Sequence, residues 1–369
     1  MKFPLRAGAL ALALTTTLAV SACGSDSEGS SGGSNELTFA VASAVIGPKE
    51  EVATYAVAED QGFFAEEDLK VSTINADGSV AALQAVASGS ADITAADAGS
   101  ILAAREKGLK IKAVGGLVQN WPWKMAVAKG SPIKSAADLR GKKVGVISLA
   151  SGSAPYARAF VAQAGLDPAK DVELLPVGVG AQAAAAMADG KIDALALYGQ
   201  AYQVIANAGT TYDYLENPDM FQGIRSITFA VREDSLADDK DAVTRYLRAA
   251  YKGMLFSSAN PEAAMRIGYK VFPAILAGKN GDDQIAADTK TLQAWIDSAT
   301  PLTGEPDSFK DWGAIGEEEW TKTRAYTKGA GQITSDVDIA GVWDASLLTE
   351  ANAFDAAAVL TKADGYTAG

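Results

Sequence analysis

Two stretches of this chain carry the same structural pattern 101 residues apart. GSVAALQAVASGSADITAAD at 78–97 aligns with VGAQAAAAMADGKIDALALY at 179–198, placing Gly89 over Gly190 and Asp92 over Asp193. Each stretch reads as a small-residue helix, a glycine that ends it, and a short β-rich run. The preceding elements repeat in the same order: strand 37–43, helix 49–60 and strand 71–75 in the first half, then strand 143–148, helix 155–164 and strand 172–176 in the second. Helices alternating with short apolar strands build a mostly parallel sheet covered by helices. Doing so twice predicts an α/β chain of two similar lobes.

Open parallel sheets bind ligands outside the carboxyl ends of their strands, and pockets concentrate between domains. The relevant loops follow 43, 75, 96, 148, 177 and 197. Two lobes facing each other across these loops would form one cleft.

The first residues address the chain outward. A basic Met1-Lys2-Phe3-Pro4-Leu5-Arg6 start, an apolar stretch over 9–20, and Val20-Ser21-Ala22-Cys23 read as a secretory signal. The last four residues resemble a bacterial lipobox, which implies that residues 1–22 are removed and that Cys23, the only cysteine, carries lipid. Residues 23–35 contain no large apolar side chain and read as a flexible tether. The expected lobes are 36–128 plus 230–369, and 129–229, with crossings near 128–132 and 226–231. The expected location is the outer face of the cytoplasmic membrane, held by the lipid alone.

The formal charge of −13 disfavours nucleic acid and anionic membrane surfaces as partners. Histidine is absent, which removes the commonest general base and metal ligand. Acidic runs such as Glu317-Glu318-Glu319 lack the ligand spacing of a calcium loop, and Gly178-Val179-Gly180 lacks the complete dinucleotide pattern. No metal, cofactor or catalytic residue is expected.

Several segments, taken together, resemble the nitrate, sulfonate, taurine and thiamine-pyrimidine binding proteins of ABC importers. They are Gly62-Phe63-Phe64, Asp68-Leu69-Lys70-Val71, Gly89-Ser90-Ala91-Asp92, DLRGKKVGV at 138–146, SGSAPY at 151–156, DGKIDAL at 189–195 and EEEWTKTRAYTKGAGQI at 317–333. Asp68 stands where that family usually has glycine. The resemblance implies a two-lobed periplasmic-binding-protein fold of type II, a monomer that captures a small organic solute and works with a permease and its ATPase. The solute would be a sulfonate-like anion or a planar pyrimidine or aromatic compound. A ligand-sensing or adhesion lipoprotein of the same fold is the alternative.

Candidate ligand groups follow from the strand ends. Ser151, Gly152 and Ser153 precede a helix, whose free amides and dipole favour an anionic or polar group, and Tyr156 lies one turn in. Asp97 and Tyr198 occupy equivalent places in the repeat: Asp97 is suited either to accept from an amine or to cap the next helix, and Tyr198 either to stack or to pack. Asn120-Trp121-Pro122-Trp123 precedes the first crossing, and one of its two indoles is expected in the cleft. Ser43 and Asp77 complete the set.

Overall fold

The computed structural model describes residues 35–149, 151–299 and 305–367; Cys23, the expected signal and nearly all of the expected tether lie outside them. The first half runs β1 (Glu36–Val41), α1 (51–60, opening with a π-helical stretch, Glu51–Ala56), β2 (Lys70–Asn75), α2 (Gly78–Ser88), β3 (Ile93–Asp97), α3 (Ala98–Glu106) and β4 (Ile111–Gly116). The second runs β5 (Trp123–Ala128), β6 (Lys142–Val146), α4 (Ser153–Ala162), β7 (Val172–Pro176), α5 (Gly180–Ala188), β8 (Ala194–Tyr198), α6 (Gly199–Asn207) and β9 (Tyr212–Leu215). The chain then returns through β10 (Ile227–Arg232) and ends in helices, among them α7 (Lys240–Ala259), α8 (Gly281–Ala299) and α9 (Glu317–Gly329).

The strands form two five-stranded sheets, ordered β2-β1-β3-β10-β4 and β7-β6-β8-β5-β9. The orders correspond strand for strand. In each sheet the second-to-last strand is the one entering from a crossing, and it runs antiparallel to its neighbours. The repeat also extends to single bonds: Asp92 accepts from Thr38 N at 2.7 Å and Asp193 from Lys143 N at 2.9 Å. Each aspartate follows a helix-ending glycine in the left-handed region, Gly89 at φ 79° and Gly190 at φ 66°, and ties the incoming strand to its parallel neighbour, β1 in one sheet and β6 in the other.

The sheets place the crossings earlier than the sequence boundaries. Residues 123–128 pair with β8 and β9 rather than with the first sheet, so the chain leaves the first sheet after Gly116. Its return strand β10 begins at Ile227, inside the span expected for lobe two. The apolar run 111–118 reads as one strand, but Leu117 N and Val118 N turn to the return crossing and both donate to Ile227 O, at 2.9 and 3.0 Å. Asn35, expected at the end of the tether, is engaged: its Nδ2 donates to Asp68 Oδ2 at 2.8 Å.

Two features explain local departures from simple pattern. Asp68 adopts φ 52°, the left-handed region that glycine enters freely and aspartate tolerates, which accounts for a turn that would otherwise call for glycine. The segment after α9 is fastened to α3 by one exposed carboxylate, since Glu106 Oε1 accepts from Thr334 N, Thr334 Oγ1, Ser335 N and Ser335 Oγ at 2.7–3.1 Å. Those bonds lower its pKa to about 2 from an ordinary 4.5. A depressed carboxylate stabilises the fold above its unfolded pKa and loses that contribution as pH falls through the folded one. Glu106→Gln should therefore lower the melting temperature at pH 7, with the gap to wild type narrowing as pH falls from about 4.5 to 2; calorimetry across that range measures it.

Candidate functional site

The carboxyl edges of the two sheets carry different chemistry. On the second sheet β5 runs antiparallel to β8, so the first residue of one sits beside the last of the other, and Trp123 pairs with Tyr198. Their rings meet edge to face at 5.4 Å, and Trp123 stacks on Tyr156 at 6.1 Å with 26° between planes. Tyr156 is fully buried, and its hydroxyl donates to Asn217 Oδ1 at 2.7 Å, while Asn217 Nδ2 donates to Trp123 O at 2.8 Å. Gly152 completes the seat, because a Cβ there would lie 2.8 Å from Trp123 Cζ2. Trp123 is thus a half-buried ring held from behind and from below.

Trp121 takes a different place. It stacks on Phe221 at 5.3 Å, meets Tyr326 edge-on at 5.0 Å and touches Tyr156. These contacts make it the packing centre where the two crossings and α9 converge, and its Nε1 is buried with no acceptor among the described residues. Asn120 also serves the crossing: its N donates to Ser298 O at 2.9 Å and its Nδ2 to Asp297 O at 3.0 Å.

On the first sheet Asp97 occupies the place of Tyr198, paired with Ile227 as Tyr198 is with Trp123. Its carboxylate caps α3 by accepting from Ser100 N at 3.0 Å, and its own N donates to Ser79 Oγ at 3.0 Å. Burial pushes the carboxyl up to about 6, against the bonds from Ser100 and Gly99. The Tyr326 hydroxyl is raised by burial and further by the charge of Asp97, which links the carboxylate to the aromatic cluster.

The loop after β1 supplies Lys49, whose Nζ donates to Glu50 Oε1 at 2.8 Å and Glu51 Oε2 at 2.6 Å. Burial disfavours charge on Lys49, but the two carboxylates outweigh it and raise its pKa. Tyr198 on the opposite sheet is raised by burial, and the charges of Lys49, Glu50 and Glu51 all act on its hydroxyl. The two strand edges therefore face each other within electrostatic reach.

The serine loop is spent on itself. Ser153 is fully buried, its Oγ accepting from Ile147 N at 2.8 Å and lying 2.7 Å from Ser151 Oγ, which donates to Ser148 O at 2.9 Å. The loop is braced by its own hydroxyls, leaving the N-terminal end of α4 and the exposed edge of Gly152 as its contribution to the cleft. Ser43 donates to Val45 O at 2.7 Å, and Asp77 is exposed at the start of α2. Sequence reasoning did not select Lys49, Glu50, Glu51, Phe221 or Tyr326; the adjacent Lys-Glu-Glu triplet on a strand-end loop was the available signal for the first three.

Two α/β sheets of matching order, joined by two crossings and facing each other at their carboxyl edges, define a periplasmic-binding-protein fold. The chain belongs to the NMT1/THI5-like family, whose pattern matches residues 49–264, in agreement with the resemblance read from the sequence. Among curated relatives it is 27% identical over 296 residues to the riboflavin-binding protein RibY of Chloroflexus aurantiacus, covering 79% of this chain and 81% of RibY. Among solved structures it is similar to the periplasmic aliphatic sulphonate binding protein SsuA of Escherichia coli, with 18% identity, 85% and 93% of the two chains covered, and a TM-score of 0.63. The SsuA of Xanthomonas axonopodis pv. citri, bound to MOPS, gives 18%, 85%, 99% and 0.61. The fold also occurs in the desulfurization enzyme DSZB, at 15% identity and TM-score 0.54 over 86% and 98% of the chains, so fold alone does not separate binding from catalysis.

Asp97 gives a test of the site that needs no ligand. A carboxyl at about 6 when folded and 3.8 when unfolded binds its proton more tightly in the native state, so the native state loses stability as pH rises from about 4 through 6. Asp97→Asn keeps the helix cap, since the two residues cap about equally well, and removes the titration. The variant should be more stable than wild type at pH 8, by up to about 3 kcal/mol, and equal to it near pH 4, as read by urea unfolding.

Proposed function

We propose that this chain is the extracytoplasmic solute-binding component of an ABC importer. It holds a small planar, uncharged heteroaromatic solute between its lobes and passes it to a membrane permease with its ATPase. The observation that carries this reading is the braced Trp123–Tyr156–Tyr198 wall standing across the cleft from Asp97. A flat ring system gains buried area and preferred stacking geometry on such a wall, and Asp97 suits a ring N–H or an amino group. The similarity to a riboflavin-binding protein supports a flavin-like solute. The sulfonate reading, suggested by two of the solved structures, has less support at the residues, because the serine hydroxyls are already bonded within their own loop.

Binding would close the two lobes about the crossings, since a ligand touching both walls stabilises the form in which they meet. Catalysis is the competing reading, given the desulfurization enzyme of the same fold. The chain has no histidine, and its single cysteine is Cys23, ahead of β1, so nucleophilic chemistry of the Cys/His kind has no residues to use. A sensing or adhesion role remains the alternative use of a bound solute, and an adjoining permease gene would favour transport.

Riboflavin should quench the tryptophan fluorescence of the protein and be recovered unchanged, and a smaller radius of gyration in scattering should accompany binding. Trp123→Ala should weaken it at least about tenfold, since each 1.4 kcal/mol is a factor of ten and a stacked, buried indole contributes at least that. Wild-type affinity in a folded Trp123→Ala would place the ligand elsewhere, and a chemically altered riboflavin would make the protein an enzyme.

The anchor belongs to the same proposal. Cys23→Ser should release the protein from the membrane fraction and remove the mass of the lipid; a variant that stays membrane-bound at unaltered mass would count against a lipoprotein.

A further inference from the structure

Lys49 is the only basic residue on the loops that follow β1, β2, β3, β6, β7 and β8. Those loops form the cleft edges, so any anionic ligand group would have this one ammonium to pair with. It is already occupied. Its Nζ lies 2.8 Å from Glu50 Oε1 and 2.6 Å from Glu51 Oε2, and only about a fifth of the side chain is exposed. Glu51 is fully buried, and its second oxygen accepts from Gly47 N at 2.9 Å. Burial pushes the Glu51 carboxyl up, against Lys49 and the bond from Gly47, and with both oxygens taking N–H bonds the geometry is that of an ionised pair rather than of a carboxylic acid. The other cations near the site are engaged or turned away. Arg225 on the return crossing donates to Gln119 O at 2.6 Å and to Glu319, and Lys124 is exposed over the Tyr214 ring.

We infer that Glu50 and Glu51 act as a charge filter on the ligand cleft: two carboxylates against the one ammonium of Lys49 leave the loop with a net charge of −1, and so exclude sulfonates and other anions in favour of neutral or cationic solutes. This deepens the planar-solute reading and rests on its placement of the cleft. The filter works through long-range charge at a partly dehydrated edge, where a single unit charge a few ångströms away is worth far more than in bulk water. Asp97, at the end of β3 in the same sheet, is a further carboxylate at this edge. The loop thus resembles an anion site that has been cancelled, with Glu50 the more exposed of the two carboxylates and making a single bond, to Lys49. Glu50 is a specificity-determining residue, whereas Glu51 also holds the loop through Gly47.

The test uses MOPS, a sulfonate, as the probe. Titration calorimetry at low salt should show no binding of MOPS to wild type at millimolar concentration. Glu50→Gln frees Lys49 of one partner and should gain MOPS binding by at least tenfold, with the gain falling as sodium chloride is raised. The double variant Lys49→Met/Glu50→Gln carries the same net charge as wild type and should show no gain, which separates charge from altered shape. Asp97→Asn, which leaves the loop untouched, should move MOPS affinity in the same direction as Glu50→Gln and keeps the idea open to refutation if Glu50→Gln misfolds. Tight MOPS binding by wild type, or no gain in folded Glu50→Gln or Asp97→Asn, overturns the filter. Riboflavin is titrated in parallel: its failure to bind wild type would overturn the planar-solute reading alone, because the MOPS result is scored without it.

Discussion

Ile227 O accepts hydrogen bonds from both Leu117 N and Val118 N, and the two crossings between the sheets run side by side because of that fork. Around it the protein adds charge and bulk. Arg225 reaches from the return crossing to Gln119 O on the outgoing one and to Glu319 on α9, while its own N donates to Thr323 Oγ1 at 3.0 Å. Trp121 fills the space between Phe221, Tyr156 and Tyr326. A buried guanidinium with a carboxylate and a carbonyl partner is a costly arrangement to break, since removing one partner leaves an uncompensated charge. The carboxyl edges can face each other across a cleft only while this junction holds the two sheets together.

The same junction explains why the two halves of the repeat have diverged. Both sheets keep their structural aspartate, Asp92 and Asp193, with the same bond to the neighbouring strand. At the strand ends the repeat keeps position and changes chemistry: Asp97 in one sheet, Tyr198 in the other. The result is a nearly symmetric scaffold whose strand ends differ, aromatic at Trp123 and Tyr198 on one sheet and acidic at Asp97 on the other.

This asymmetry also shows what a single sequence could reveal. The helix-glycine-aspartate-strand pattern depends on local rules of capping and periodicity, so the succession of strands and helices along the chain and even the Asp92 and Asp193 equivalence were legible, whereas the order of strands within each sheet was not. The crossings were not, because β5 and β10 are apolar strands like any others and only their pairing shows which sheet each joins. Trp121 and Trp123 stand two residues apart and are chemically identical; what separates them is that one precedes β5 and meets Phe221 and Tyr326 from distant parts of the chain, while the other begins β5 beside Tyr198. Ser153 looked like a ligand group because its position suits one, yet its hydroxyl is consumed by Ile147 N six residues earlier, a loop closure that residue types alone do not disclose.

The charged wall matters more in a closing cleft than it would on an open surface. When two lobes meet around a solute, water leaves, the effective dielectric constant falls, and each uncompensated charge becomes more expensive. A solute presenting an N–H to Asp97 offsets that cost by favouring the ionised carboxylate, whereas one presenting an anion raises it. Differential affinity for the closed form is the only means by which a ligand can shift the lobes toward it. The aromatic wall can attract many flat molecules with little discrimination. Under the proposed function, which of them closes the protein is decided on the opposite side, by Asp97 and by a lysine outnumbered by its two carboxylates.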